Sequence, residues 1–115
     1  MEKVEYYRQL IGNFLNEYAS YQSPYGQLEN QVVFDSQGDH YQLVRLGWQG
    51  KTRVYGCSIH LDIKDGKIWI QHNATDVDIA EELVSNGVPR EDIVLGFQPP
   101  YLREYTDYAV GSEKI

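Results

Sequence analysis

Asp65-Gly66 separates two segments of strand-like sequence, residues 51–64 and 67–72, and no other feature constrains the fold as tightly. A two-residue Asp-Gly connection is a strong hairpin signal, because both central positions need positive φ. It sets Ile63 opposite Ile68 and Leu61 opposite Ile70. Two further strand-like segments precede it, residues 28–35 and 40–48, joined by Ser36-Gln37-Gly38-Asp39, and Gln49-Gly50 leads on to the third. Four strands with turns this short predict an antiparallel meander. A two-residue loop at Gln49-Gly50 places Trp48 opposite Lys51, Leu46 opposite Arg53 and Val44 opposite Tyr55. One face then gathers Val44, Leu46, Tyr55, Cys57, Ile59, Leu61, Ile63, Ile68 and Ile70, the expected core. The reverse face carries Arg45, Ser58, His60, Asp62 and Gln71 together with Val32, Phe34, Tyr41, Leu43 and Trp69. A half-apolar reverse face calls for cover, either by the chain's own segments or by a partner or second copy.

Helices flank the meander. Val4, Tyr7, Ile11, Phe14, Leu15 and Tyr18 recur at three- and four-residue steps, an amphipathic first helix that Ser23-Pro24-Tyr25-Gly26 stops. A second helix is expected to start at Thr75, the N-cap of a near capping box with Asp78. Ile79, Ala80, Leu83 and Val84 form its apolar stripe, and Gly87 with Pro89 ends it. Pro89-Arg90-Glu91-Asp92 suits a single turn leading into Ile93-Val94-Leu95. Beyond Pro99-Pro100, residues 101–110 are expected to form a last short helix or an extended tail. The whole, residues 1–115, reads as one two-layer α+β domain. Its four-stranded antiparallel meander carries the N-terminal helix and the later helix on one face.

Composition narrows the function. Seventeen acidic residues against ten basic ones leave a formal charge of −7, which disfavours general DNA binding, since that depends on Lys and Arg neutralising phosphates. The charge is unevenly spread. Residues 44–68 hold five basic and two acidic side chains, whereas residues 76–92 hold six acidic ones against Arg90 alone. Such polarity can orient a protein partner or a second copy of the chain, and it also suits two solvated surfaces. No apolar run is long enough to cross a bilayer and the N-terminus has no secretory pattern, so a cytoplasmic protein is expected. The single cysteine, Cys57, cannot form an internal disulfide and reads as a small buried hydrophobe. Asn73-Ala74-Thr75 matches a glycosylation sequon by chance, given that context.

Catalytic signatures are scarce. The chain has no phosphate-binding glycine loop, nucleophile elbow or paired-histidine zinc motif, and no catalytic, cofactor-binding or metal-ligating set is assigned. His40, His60 and His72 come near one another in the meander, but the register sends His60 outward and His72 into the core. They therefore share no metal on this reading. The sharpest enzymatic alternative is a metal-dependent DNA nuclease in which Asp39 and Asp62 hold Mg²⁺ and Lys64 attends the attacking water.

Asp39-His40-Tyr41-Gln42-Leu43, Gly47-Trp48 and Lys67-Ile68-Trp69-Ile70-Gln71 occur in an order that resembles the XisI family. The resemblance continues through Ile79-Ala80, Gly87-Val88-Pro89, Asp92-Ile93-Val94-Leu95-Gly96-Phe97, Pro100, Arg103 and Thr106. These are the fdxN element excision controlling factor proteins of cyanobacteria. The resemblance runs from the first helix to about Val110 and departs most at residues 72–76. It implies a non-catalytic accessory role in programmed DNA excision during heterocyst differentiation. The implied partner is a XisH-like protein of nuclease fold, with a serine recombinase complex as a further implied partner and DNA contact indirect or left open. An antitoxin-like restraint of that partner is the other implied reading. Trp69, Asp78, Glu81, Glu82 and Arg103 are the candidate partner contacts, and self-association is open. Gly47, Gly96, Gly87-Val88-Pro89 and most other motif residues read first as requirements of the fold.

Overall fold

The computed structural model describes residues 2–21 and 27–111. Helix α1 (Lys3–Ala19) presents Tyr7, Ile11 and Leu15 as one buried stripe, as its three- and four-residue spacing requires. The Ser23-Pro24-Tyr25-Gly26 stop falls outside the described residues. Strands β1 (Gln27–Asp35), β2 (His40–Gln49), β3 (Thr52–Lys64) and β4 (Lys67–Asn73) form the expected antiparallel meander. Asp65 and Gly66 both adopt positive φ, 55° and 75°, and Ile63 pairs with Ile68 as the turn demands.

The sheet has five strands, not four, and it is mixed. β5 (Ile93–Leu95) lies parallel to β4, pairing Ile68 with Ile93 and Trp69 with Val94. The connection runs through α2 (Ile79–Ser85) and a 3₁₀ turn (Arg90–Asp92), the crossover a parallel pair needs. An unbroken apolar run covered on both sides is the mark of such a strand. Ile93 enters the helix-side core, while Val94 is fully buried outside that cluster.

The β2–β3 register also differs from expectation. The loop is Gly50-Lys51, so Gln49 pairs with Thr52, Leu46 with Tyr55 and Val44 with Cys57. Leu43 then pairs with Ile59, which leaves Ser58 as an extra residue in β3. An extra residue reverses which side chains share a face. Tyr41 and Leu43 therefore join the core with Ile59, Leu61, Ile63, Ile68 and Ile70, and Val32 packs against them. Val44, Leu46, Tyr55 and Cys57 fall outside the core, with Tyr55 exposed. Cys57 is partly buried, and its thiol donates to the Ile59 carbonyl at 3.1 Å.

α2 starts three residues later than expected. Thr75 turns its hydroxyl back to Asn73 Oδ1 at 2.6 Å and accepts from the Val77 amide, so it is tied into a turn. Asp78 is the N-cap instead, accepting from the Glu81 amide at 3.3 Å. The helix ends as expected: the Gly87 amide donates to Val84 and the Val88 amide to Leu83. Both helices bury their stripes against the same sheet face.

A second 3₁₀ segment (Pro100–Tyr105) and the chain after it return along the opposite face. Ala109 bridges to Val94, and Gly111 lies against the Trp69 ring. Of the apolar residues expected on the reverse face, Val32, Tyr41 and Leu43 belong to the helix-side core and Phe34 lies near Gly12 of α1, so it is Trp69 that the strap covers.

Candidate functional site

The outer sheet face brings together three side chains that are scattered in sequence. The true register sets His40 opposite Asp62 and Gln42 opposite His60 on neighbouring strands. His40 Nδ1 lies 2.8 Å and His60 Nε2 2.9 Å from the same Asp62 oxygen, Oδ1. An ionised carboxylate only accepts, so both facing nitrogens carry protons in this state. Gln71 Nε2 donates to the other Asp62 oxygen at 3.1 Å, and Gln42 Nε2 sits 3.3 Å from His60 Nδ1.

Burial pushes the Asp62 carboxyl up, but hydrogen bonds from His40, His60 and Gln71 outweigh it and hold its pKa below the usual range. The hydrogen bond to Asp62 in turn raises the pKa of His40. His40, His60 and Asp62 each offer one ligand atom, all within 4.8 Å of one another. The Gln49-Gly50 register had put His40 opposite Ile59, which hid this cluster. A Gly50-Lys51 loop alone would still set His40 opposite Leu61; Asp62 faces it only because Ser58 is an extra residue in β3. His72 also departs from expectation: Gln71 is an extra residue in β4, so His72 pairs with His60 and is exposed.

The proposed nuclease set is not assembled. Asp39 lies on the helix side, where Arg8 forks it at 2.8 and 3.2 Å and the Tyr41 hydroxyl donates to it at 2.7 Å. Asp62 lies between the core residues Leu61 and Ile63 and therefore points to the other face. Lys64 Nζ is 4.1 Å from the centre of the Trp69 ring. Two carboxylates on opposite faces of a sheet cannot share one ion.

Of the candidate contacts, Trp69 and Arg103 are enclosed. Trp69 is 6% exposed, beneath Arg103, Lys64 and Gly111. Arg103 donates to the carbonyls of Gln98 and Gly96 and so latches the tail over the indole. Asp78 caps α2, and Glu81 accepts from Arg90 at 2.5 and 3.1 Å and from the Tyr108 hydroxyl. Glu82, Asp76 and Glu91 are exposed, which makes this end of the molecule an acidic surface.

Two helices on one face of a mixed β1-β2-β3-β4-β5 sheet, with a C-terminal strap on the other, define a small α+β domain. Among the described residues no helix is long and apolar enough to cross a membrane. The chain belongs to the XisI family: the model of that family, described as XisI protein, matches residues 1–110. A XisI-like protein from Anabaena variabilis ATCC 29413, known from a crystal structure, is 53% identical with a TM-score of 0.87. That match covers 96% of this chain and 100% of the other. The fdxN element excision controlling factor XisI from the same organism is 34% identical with a TM-score of 0.80, at the same coverage. A search of curated proteins returned no match.

Proposed function

We propose that this chain is a non-catalytic accessory factor in programmed DNA excision, acting in the cytoplasm by docking to a XisH-like protein of nuclease fold. Family membership and the likeness to an excision controlling factor support the process. The observation that carries the mode of action is the acidic surface around α2, where Asp76, Asp78, Glu82 and Glu91 stand exposed. A nuclease-like partner presents a basic surface to DNA, and an acidic surface complements it. DNA contact by this chain is then indirect.

A tagged pull-down from the native cells, with mass spectrometry, is expected to recover a XisH-like protein in stoichiometric amount. Asp76→Lys, Glu82→Lys and Glu91→Lys together should weaken that complex at least ~10-fold, a loss of about 1.4 kcal/mol. These positions are chosen because reversing Asp78 or Glu81 would also remove a helix cap or the pair with Arg90. Recovery of the chain alone, or unchanged affinity in the triple variant, would overturn the docking model. If the partner by itself proves toxic or cleaves DNA, and this chain suppresses that, the accessory role becomes antitoxin-like restraint.

A further inference from the structure

We infer that His40 Nδ1, His60 Nε2 and Asp62 Oδ1 form a binding site for one divalent transition-metal ion of the Zn²⁺ type. The residues come from two adjacent strands, so the sheet itself sets their spacing. Two imidazoles and a carboxylate suit zinc and its neighbours far better than Mg²⁺ or Ca²⁺, which take oxygen ligands. A tetrahedral ion with ligands at ~2.1 Å holds them roughly 3.4 Å apart. The two nitrogens stand 2.8 and 2.9 Å from Asp62 Oδ1, so each needs to draw back from that oxygen by only about half an ångström to admit the ion, and all three atoms already lie within 4.8 Å of one another. His40 can make that movement, because more than half of its side chain is exposed.

The surrounding groups are those a metal site uses. Gln71 fixes Asp62 through Oδ2, leaving Oδ1 for the ion. Gln42 reaches the far nitrogen of His60. In the metal-free state Gln42 donates to Nδ1 and the Nε2 proton faces Asp62. With the ion on Nε2 the proton resides on Nδ1, and the Gln42 amide turns to offer its oxygen. Three protein ligands leave a coordination position facing solvent on the outer face, open to water or to a donor atom of a docked protein.

The test is calorimetric titration of ZnCl₂ into the chelator-treated full chain, alongside the His60→Gln, Asp62→Asn, His40→Gln, Gln42→Leu and His72→Gln variants. One ion per chain is expected. Binding should weaken more than ~100-fold in His60→Gln and Asp62→Asn and ~10-fold in Gln42→Leu, as loss of an outer partner does, and be unchanged in His72→Gln. Circular dichroism of each variant establishes that it is folded. Nitrogen-15 spectra of the histidines supply a second readout: Zn²⁺ should shift Nδ1 of His40 and Nε2 of His60. No saturable binding by the unaltered chain, or binding that survives His60→Gln with Asp62→Asn, would overturn the site.

Discussion

The hydroxyl of Tyr7 in α1 donates a 2.6 Å hydrogen bond to the buried carboxylate of Asp92, 85 residues later in the chain. Burial and that carboxylate together push the Tyr7 hydroxyl far above its ordinary value, so it stays protonated and a donor. Lys3 Nζ reaches the same oxygen, Asp92 Oδ2, at 3.3 Å. The pair fastens the first helix to the turn that launches β5.

Tyr7→Phe removes this donor and leaves the largely buried Asp92 carboxylate with Lys3 but without its tyrosine partner. A loss of about 1–3 kcal/mol in unfolding free energy is expected by urea denaturation, with the slope unchanged. Tyr7→Phe combined with Asp92→Asn should cost less than the two separate losses added together.

Gly47 sits at φ 146°, paired with Leu28 of the neighbouring strand β1. A Cβ there would stand 2.0 Å from the Gln27 carbonyl oxygen. Gly47→Ala should therefore destabilise by ~3 kcal/mol or more through strain and overpacking together. Gly56→Ala in the same hairpin has open space around the new methyl and should be within about 0.5 kcal/mol of neutral. Comparable thermal shifts in the two variants would contradict the close approach.

Arg103→Ala should release the strap from the outer face. Its guanidinium lies 5.2 Å from the centre of the Trp69 ring and holds two backbone carbonyls. In a Trp48→Phe background, which removes the exposed indole, the remaining fluorescence should move to the red as Trp69 meets water. Unchanged emission would show that the strap holds without its arginine.

Glu81 is one source of pH dependence. The hydrogen bond from Arg90 first, and that from Tyr108 second, lower its pKa below the ordinary 4.5. A carboxyl lowered by folding contributes stability that is complete above its unfolded pKa and is lost as pH falls through the folded value. The difference in melting temperature between the unaltered chain and Glu81→Gln should hold steady from neutral pH down to about that value, then shrink on further acidification. A difference that grows on acidification would mean the pair does not stabilise the fold.

Much of the architecture was legible in the residues. The stripe through Tyr7, Ile11 and Leu15 needs no tertiary information, because helical periodicity alone puts those side chains on one face. Asp65-Gly66 fixes its own hairpin because positive φ is a local property of the two residues. The motif stretches from Asp39 to Thr106 likewise carried family membership without coordinates. Ile93-Val94-Leu95 was harder to read. Three apolar residues become a parallel strand only when β4 lies alongside and the strap covers Val94.

The site was the least legible part. Ser58 and Gln71 look like ordinary strand residues, and nothing local marks them as extra. Each shifts pairing by one position, and with period two a single step moves every later side chain to the other face. The sequence by itself determined the Asp65-Gly66 hairpin, the helical stripes, the acidic segment and the family. The tertiary structure decided which residues meet: His40 and His60 about one Asp62 oxygen, Asp39 away from Asp62, and Trp69 beneath Arg103. The physical reason is that turn and helix preferences act over a few residues, whereas the register of a bulged sheet is set by packing summed over the whole core.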